Sequence, residues 1–595
     1  MTKKTLSIFL MLTLLVSLTF SGCSQPSEQT TTAPTTTTAV TTAPEPTGMF
    51  TPGTYTVTVD GHNGPFEIDV VFSQDKITDI IIGDHDESPA IGDVAMEAMR
   101  SEILERQSLN VDTIAGATIT GVYFRVAVTD AVKEAGGDSS KMQAKADKQL
   151  TTPKDATVEV VIIGSGIAGL STAMEANKLG LEVMVIEQLG ILGGSSARAG
   201  YLMGTGTKLQ AEQGITYSLD DLKSRFLRSV DVSNTEAYAH AVRFVENMGV
   251  NIDWMYDLGT KFGPVNLGFQ HYGPEGERLG SFLIKALENN LKTKKIDYRL
   301  NTRGDELLTD SSGAVIGVRV EAPNGEYYNI YADAVVVATG GFFANKEMTA
   351  QYFPGYENFP YDCTMGADGS GMLMAGEIGA ELKNMTAGNH HAIVGFYKGV
   401  PRSLTLLAGN GGIAVNSKGE RFFNESGDYT LFTKAVINQN DDIYAIMDQT
   451  IADLPVIQND KGLAALTFMY TVADTLEELA EKMGIDPEGL LASVEAVRES
   501  IAAGTPDAFE KPLANMRTDF TNPPYYGVKT QIENHTNYGG IATDYNSRAL
   551  KSDGSVIKGL YAVGECSAMK PGTSGMLSVG VFEGRIAANA IADER

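Results

Sequence analysis

The sequence predicts an α/β protein in which a Rossmann-like nucleotide-binding domain follows a smaller α+β domain. Three observations support this prediction. Residues 158–163 form a nearly continuous apolar run, as in a parallel strand buried on both faces. A glycine-rich turn, a helical stretch and a second apolar strand that ends in Glu187 follow this run. Upstream, residues 55–59 and 66–72 alternate apolar and polar side chains, as half-buried strands do.

Composition and charge exclude several classes of protein. The chain has 595 residues and a formal net charge of −28, which opposes binding to nucleic-acid phosphates. Its three cysteines, Cys23, Cys363 and Cys566, are far apart in the sequence. They provide no haem, iron–sulfur or zinc spacing, so the sequence predicts no metal site. Any redox chemistry would therefore need an organic cofactor.

The N-terminus has the pattern of an exported lipoprotein. Lys3 and Lys4 precede an apolar run over residues 6–20, which is typical of a secretory signal and short for a lasting membrane span. Small residues before Cys23 resemble a lipoprotein box, so residues 1–23 are predicted to be a signal peptide with lipidation at Cys23. Ordinary cleavage that leaves Cys23 free is the alternative. These features predict a lipid-anchored protein on the extracytoplasmic face of the cell membrane.

The segments before the Rossmann-like domain differ in composition. Residues 24–48 are mostly Thr, Pro, Ser and Ala, which predicts a disordered tether without a core. Residues 49–137 contain the alternating strands, helical stretches over 90–105 and up to 132, and turns, so they predict one compact unit. Residues 138–156 are polar and predict a linker.

The glycine-rich turn has the pattern G-x-G-x-x-G over residues 164–169. Glycines there let the backbone approach a pyrophosphate at the N-terminus of the following helix. Glu187, at the end of the next strand, can accept hydrogen bonds from ribose hydroxyls. The pattern alone is weak, but between a strand and a helix it indicates a dinucleotide site. At this point both NAD and FAD remain possible.

Further motifs resemble the fumarate reductase and succinate dehydrogenase flavoprotein family. They are the loop 193–200, the block A-T-G-G-F at 338–342, the block at 367–371 and G-L-Y-A-V-G-E at 559–565. The resemblance implies an FAD domain over residues 157–385 and 531–595, with an inserted α+β capping domain over residues 386–530. It also implies that non-covalent FAD is held by Gly164, Gly166, Ala168, Gly169, Glu187, Gly193, Gly194, Ser195, Ser196, Gly200, Thr339, Gly340, Gly341, Ser370, Glu565, Met576 and Leu577.

Residues 112–120, D-T-I-A-G-A-T-I-T, resemble the D-x-x-[ST]-G-A-T-x-[ST] acceptor of FMN-binding domains. In those domains the last hydroxyl carries FMN as a phosphodiester, which implies covalent FMN at Thr120, attached by a flavin transferase. Ala115 replaces the usual Ser, and a plain Gly-Ala turn is the alternative interpretation. A covalent FMN unit ahead of an FAD module is similar to the urocanate reductases and related bacterial flavin reductases.

The same resemblance places the substrate site. In the family, an Arg donates a proton to the substrate while His and Arg residues hold its carboxylates. His535 matches one histidine, and either His390 or His391 matches the other, with His391 preferred. Tyr538, in the motif around His535, is a further candidate for substrate binding. Tyr429 occupies the position of the proton-donating Arg. A phenol stays protonated at neutral pH and can serve as a general acid, whereas a packed aromatic ring is the alternative.

Two further arginine positions of the family are occupied by Ala408 and Pro571. A desolvated substrate charge left without a partner costs about 3–5 kcal/mol, so a dianion would bind poorly. The sequence therefore predicts that a pocket without those arginines favours a neutral enone, or a monoanion held by another group. Arg402 is the candidate partner of a monoanion, and a surface Arg is the alternative interpretation.

Together these motifs predict an extracytoplasmic flavin reductase of anaerobic respiration. Electrons from a membrane donor would pass through FMN and FAD to the activated C=C bond of a small unsaturated enoate or enone. One alternative is a ketosteroid-type dehydrogenase that works in the oxidative direction, since R-F-x-N-E-x-x-x-Y also resembles those enzymes. Another is a non-catalytic flavin electron-transfer lipoprotein. A plain substrate-binding lipoprotein would purify without colour.

Overall fold

The computed structural model describes residues 48–114, 116–144, 153–228, 230–397, 400–458 and 469–595. The predicted signal peptide, Cys23 and all but the last residue of the predicted tether lie outside these ranges. Within them, none of the helices combines the length and the apolar character that crossing a membrane requires.

The first domain is an antiparallel sheet of three strands with two helices packed on it. The strands are Gly53–Asp60, Pro65–Phe72 and Ile77–Ile82, and the helices are Gly92–Arg106 and Thr118–Glu134. Alternate strand residues, such as Val57 and Val59, are buried because one face of the sheet packs against the helices. Both predicted strands and both predicted helices are confirmed. The third strand was not predicted from the sequence.

An eight-stranded sheet forms the centre of the second domain. Ala156–Ile163 lies between Val183–Ile186 and Tyr327–Val337, and both pairings are parallel. Its apolar side chains are buried on both faces of the sheet, which confirms the doubly buried strand predicted at residues 158–163. The other strands of the sheet are Asp297–Arg299, Arg303–Thr309, Val315–Glu321, Arg548–Leu550 and Val556–Ala562.

Helices cover this sheet, and two of them approach closely through glycine. A Cβ atom on Gly584, in the helix Met576–Asp593, would lie 2.4 Å from the carbonyl oxygen of Ala168 in the helix Ile167–Lys178. The remaining helices of the domain are Lys208–Glu212, Leu219–Leu227, Thr235–Asp257, Gly280–Lys294, Lys346–Tyr352 and Ser370–Glu377. Short strands lie at Leu202–Met203, Val265–Asn266, Gln270–His271, Leu382–Lys383 and Gly540–Ile541.

The cap contains two sheets and several helices, as its α+β class predicts. A four-stranded sheet consists of Ile413–Val415, Tyr444–Asp448, Tyr525–Lys529 and Thr471–Ala473. A three-stranded antiparallel sheet pairs Gly388–Tyr397 with Val400–Ser403 and Gln531–Asn537. Its helices are Thr405–Gly409, Tyr429–Gln439, Gln449–Ala452, Pro455–Gln458, Leu476–Met483 and Pro487–Ala503. The last two confirm the helical patterns predicted at residues 475–483 and 487–502.

A buried charge cluster fixes the loop that leads to Tyr429. Arg421 and Glu425 form two hydrogen bonds of 2.8 Å, and Asp507 and Lys511 lie 2.7 and 3.2 Å from that pair. Burial alone would raise the pKa of Glu425, but the nearby Lys511 and Arg421 cations lower it. These intact residues of the R-F-x-N-E motif therefore have a structural role within the cap.

Candidate active site

One cavity of about 1050 Å³ is lined by residues of the first domain, the Rossmann-like domain and the cap. Most of the predicted site residues contribute to its wall: Thr120, Gly164, Gly166, Ala168, Glu187, Gly194, Ser195, Ser196, Gly200, Thr339, Gly340, Ser370, His391, Arg402, His535, Glu565, Met576 and Leu577. Within the described ranges, four other predicted residues are not part of the wall: Gly169, Gly193, Gly341 and Tyr538. Tyr538 instead joins the backbones of Ala387 and Met569.

The first glycine turn needs glycine for steric reasons. Gly164 has a φ of +105°, and a Cβ atom there would lie 2.4 Å from the carbonyl oxygen of Ala338. A Cβ atom on Gly169 would lie 2.1 Å from the carbonyl oxygen of Gly164. Gly169 therefore lets the helix pack on the strand without lining the cavity itself. Gly164 keeps the backbone bare where a pyrophosphate would approach.

Glu187 holds the same turn in place. Its Oε2 accepts hydrogen bonds from the backbone N–H and hydroxyl of Ser165, at 3.0 and 2.6 Å. Its Oε1 accepts from the N–H of Leu189 at 2.9 Å. Burial raises the pKa of Glu187. The carboxylate predicted to meet the ribose thus also orders the turn.

Two polar groups in the cavity wall are suited to a polar ligand. The hydroxyl of Thr339 is buried and has no hydrogen-bond partner among the residues that the structure describes. Glu565 accepts a hydrogen bond of 3.1 Å from the N–H of Asn537, and burial raises its pKa to about 7. Together with the bare glycine turns, these groups fit the FAD that the sequence predicts.

At the first-domain end of the cavity, Thr120 meets a carboxylate. The Thr120 hydroxyl donates to Oε2 of Glu87 at 2.7 Å, and the N–H of Asn63 donates to Oε1 at 2.9 Å. Thr120 lies in the first turn of the helix Thr118–Glu134, which has neither a side-chain cap nor an acidic residue there. Such a helix N-terminus favours a phosphate, so this end fits the predicted FMN ester.

The FMN motif lies directly against the FAD domain. Ala115 is outside the described residues, but Gly116 has a φ of +98°, and a Cβ atom there would lie 3.2 Å from Cδ1 of Ile191. An ion pair of 3.6 Å also joins Asp93 of the first domain to Lys285. The two predicted flavin sites therefore share one cavity across this contact.

At the cap end, two histidine rings stack on each other. The centroids of His391 and His535 are 4.1 Å apart, with an angle of 26° between the rings. His391 faces Glu533 on the neighbouring strand, and its Nδ1 lies 2.9 Å from Oε2 of that residue. Nδ1 of His535 lies 2.7 Å from Oδ2 of Asp362. The ligand atoms of Asp362, His391 and His535 lie within 4.8 Å of one another, an arrangement that could hold a metal ion.

The two rings differ in protonation. Burial lowers the pKa of His391 to about 3, and burial aided by Asp362 raises that of Glu533 to about 8. Burial alone would lower the pKa of His535, but the charge and hydrogen bond of Asp362 outweigh it and raise the pKa. The same contact lowers the pKa of Asp362 against the effect of burial. The site therefore favours one charged pair, imidazolium and carboxylate, beside a neutral pair.

The structure separates the two candidates for the second histidine. Nδ1 of His390 lies 3.0 Å from Oδ1 of Asn534, and its ring packs among Phe343, Phe353 and Tyr356. Of the two histidines, His391 is the one that lines the cavity.

Arginines line the cavity although the three positions of the family's arginines hold Ala408, Tyr429 and Pro571. Four arginines line the cavity: Arg198, Arg278, Arg303 and Arg402. Arg303 pairs with Asp368 at 3.7 Å. Nη1 of Arg278 donates to the carbonyl oxygen of Arg198 at 3.2 Å, and both cations oppose the raised pKa of Glu533. Arg198 and Arg278 were not predicted, because they come from elements other than those that carry the family's arginines.

Tyr429 is the first residue of the helix Tyr429–Gln439, for which Asp428 is the N-cap. Its side chain lies outside the described part of the structure, so its role stays a prediction. Glu87, Asp362 and Glu533 were not found from the sequence. Glu533 had one available signal, its position two residues before His535 on the same strand. Asp362 had none, because it comes from a loop far away in the sequence.

Two family models match the chain. One described as an FAD binding domain covers residues 159–577, and one described as an FMN-binding domain covers residues 61–133. The NADH:acrylate oxidoreductase of Vibrio harveyi is 27% identical over 87% of this chain, which spans 58% of that relative's length. The urocanate reductase of Eggerthella lenta is 29% identical over 90% of this chain and 92% of its own.

A solved structure described as the open conformation of a flavocytochrome c3 fumarate reductase is also similar. It aligns with a TM-score of 0.63 and 26% identity, covering 76% of this chain and 83% of that one. These matches confirm the predicted fold class, an FAD-binding and capping module behind an FMN-binding domain.

Proposed function

From the premise that this chain belongs to the fumarate reductase-like family of FAD-binding flavoproteins, we propose that it reduces the activated C=C bond of a small unsaturated carboxylate. The observation that carries the proposal is the shared cavity. Thr120, which is the predicted FMN acceptor, the glycine turns of the predicted FAD site and the charged pair of His535 and Asp362 all line it. The relatives named for acrylate and urocanate reduction support this choice of reaction.

The residues of the cavity fit two flavins in different ways. The hydroxyl of Thr120 suits a covalent FMN, and the bare turns at Gly164 and Gly340 suit a non-covalent FAD. When bound, these flavins would supply electron carriage and hydride transfer. The chain's own part is to hold the substrate, exclude water and deliver a proton.

The charges around the histidine pair favour an anionic substrate. Asp362 neutralises one cation, and Glu533 adds no negative charge while it is protonated. Among His535, Arg198, Asp362 and Glu533, two cations then face one charged carboxylate in this part of the cavity. A charge-assisted hydrogen bond contributes about 1.5–3 kcal/mol, so a carboxylate is favoured over a neutral enone.

The proton for the second alkene carbon has two candidate sources. His535 holds a proton on each ring nitrogen when charged, and because Nδ1 faces Asp362, Nε2–H is the group left for the substrate. Tyr429 is the second candidate, on the strength of its position in the sequence. Replacing Tyr429 with Phe should lower turnover strongly and leave FAD content unchanged if the phenol is the donor; unaltered turnover would leave His535.

The cellular setting of the proposal comes from sequence patterns. The signal-like N-terminus supports an extracytoplasmic site with a lipid anchor at Cys23. A protein in that place would take its electrons from a membrane donor and receive its FMN from a flavin transferase. Reduction of an organic substrate would then complete a respiratory chain.

An anaerobic assay tests the proposed reaction. The protein carrying both flavins is mixed with reduced viologen and matched pairs of acids and methyl esters, such as acrylate, cinnamate and urocanate. Oxidation of viologen that depends on the alkene, faster with the acids, is the expected result. It should survive treatment with a chelator, since the proposal uses no metal at the histidine pair.

Two outcomes would contradict the proposal. Rapid flavin reduction without turnover of any alkene would indicate an electron carrier. Dye-linked oxidation of the saturated compounds without any reductive turnover would indicate a dehydrogenase. Equal rates with the esters and the acids would contradict the proposed preference for a carboxylate, but not the proposed reduction of a C=C bond.

A further inference from the structure

The carboxylate of Glu87, beside the proposed FMN acceptor Thr120, is not used in the proposed reduction of the substrate. We infer that Glu87 is the proton acceptor that makes the Thr120 hydroxyl ready for esterification by FMN. This inference rests on the proposed covalent FMN at Thr120. It concerns how the chain prepares its own modification, before any turnover takes place.

The geometry is that of a nucleophile and its base. Thr120 and Glu87 are only 3% and 7% exposed, and 2.7 Å separates the hydroxyl oxygen from Oε2. Because the hydroxyl donates its hydrogen to the carboxylate, the lone pairs of Oγ are left for an incoming phosphorus atom. Both residues line the cavity, so the buried pair is open on the side from which a nucleotide would come.

The carboxylate is held rigidly in this position. The N–H of Asn63 binds Oε1 at 2.9 Å, while Oε2 is left to Thr120. A Cβ atom on Gly61 would lie 2.6 Å from Oε1, and one on Gly92 would lie 2.4 Å from Oε2. Gly61, in the turn after the strand Gly53–Asp60, and Gly92, at the start of the helix Gly92–Arg106, therefore make room for the carboxylate. Its place depends on the backbone around it as well as on Thr120.

Glu87 also lacks the partner that a structural buried carboxylate usually has. In the part of the chain that the structure describes, no lysine, arginine or histidine forms an ion pair with it. Within the described ranges, the side chain that binds it is Thr120, whose hydroxyl is the proposed FMN acceptor.

The esterification step balances with a flavin dinucleotide as donor. The bond from Oγ of Thr120 to the FMN phosphorus forms, and the phosphoanhydride bond breaks, so that AMP leaves on the transferase. The hydroxyl proton passes to Oε2 of Glu87. An aspartate accepts a hydroxyl proton in the same way in protein kinases. The protonated Glu87 can then donate to the new phosphodiester, which removes the repulsion between two anions.

The test uses the full chain produced without a transferase. It is incubated with a purified flavin transferase and FAD, and covalent loading is followed by flavin fluorescence after denaturing electrophoresis and by intact mass. Glu87→Gln keeps the size of the side chain and should slow loading about 100-fold or more. Glu67→Gln, on the exposed face of the strand Pro65–Phe72, is the matched control and should load at the normal rate.

Chemical rescue separates a proton acceptor from a structural role. Formate can occupy the space left in Glu87→Ala and take the proton, so it should speed loading of this variant but not of the original protein. Bound FAD, read by absorbance, shows that each variant is folded. Normal loading of Glu87→Gln, or slow loading of Glu87→Ala without any gain from formate, would overturn the inference. Normal loading of Thr120→Ala would instead overturn the proposed FMN site.

Discussion

The two ends of the cavity use the same device with opposite results. At the FMN end, Glu87 accepts a hydrogen bond of 2.7 Å from the hydroxyl of Thr120; at the cap end, Asp362 lies 2.7 Å from Nδ1 of His535. A hydroxyl keeps its proton beside a carboxylate, whereas an imidazole takes up a charge because its unperturbed pKa is near 6.5. In the roles that we propose, one carboxylate therefore prepares a nucleophile, and the other stabilises a cation.

The surroundings of the two carboxylates fit these different tasks. Glu87 has a backbone N–H and a hydroxyl as its partners, which suits a reaction that happens once in the life of the protein. Asp362 and His535 lie among His391, Glu533 and Arg198, which suits repeated binding and release of an anion. The contact distance is 2.7 Å at both ends, whereas the charged groups around the two carboxylates differ. This difference fits the proposed roles, modification at Thr120 and turnover at His535.

Removing the acceptor hydroxyl should have the largest effect. Thr120→Ala should lose all covalent flavin, since only a hydroxyl can form the ester, while its FAD content stays normal. Flavin fluorescence after denaturing electrophoresis measures this directly. Turnover with a small reductant that reaches the FAD should persist, which would show that the cap end works without the FMN end. Thr129→Ala, in the same helix, is the control.

Breaking the charged pair of His535 and Asp362 at the cap end should have the next largest effect. His535 faces Asp362, His391, Glu533 and Glu565, and Asp362 raises its pKa more than Glu565 and Glu533 do. Because a raised pKa keeps the imidazolium at higher pH, activity should fall only as pH rises through that value. Asp362→Asn should lower kcat/KM for an unsaturated acid about 100-fold and move this fall to lower pH.

A pH–rate profile of kcat/KM measures the shift, with Asp220→Asn on an exposed helix turn as the control. An unchanged profile in Asp362→Asn would mean that His535 is not the titrating group. His535 would then not be the charged group at the cap end, and the contrast in protonation between His535 and Thr120 would not hold.

The sequence was informative where a local pattern sets the geometry. The turn at Gly164 and the acceptor Thr120 belong to short motifs whose spacing is a property of one loop, so both could be located before the structure was known. Asp362, Glu533 and Arg198 become neighbours only when distant loops and strands come together. No local pattern specifies that meeting, so these three residues were not predicted as parts of the site.

Neutralising an arginine should have a smaller and more selective effect. Arg198→Met should raise KM for an unsaturated acid about 10- to 100-fold, the range expected when a charge-assisted hydrogen bond is lost. KM for the matching methyl ester should change little, and FAD content should be measured because Arg198 lies in an FAD loop. Equal changes for acid and ester would mean that Arg198 serves the flavin and not the substrate.

The smallest effect is expected at Glu533, and it depends on pH. Because the pKa of Glu533 is raised to about 8, the carboxyl is largely protonated at pH 7 and resembles the amide of Glu533→Gln. At pH 7 the variant should keep kcat/KM within about threefold of the original protein, the loss expected for one neutral hydrogen bond. Above pH 8 the original carboxyl ionises and repels an anionic substrate, so its KM should rise more steeply with pH than that of Glu533→Gln. A parallel rise of KM in both proteins would show that Glu533 carries its charge throughout, and that the cap end lacks the excess of positive charge that distinguishes it from the FMN end.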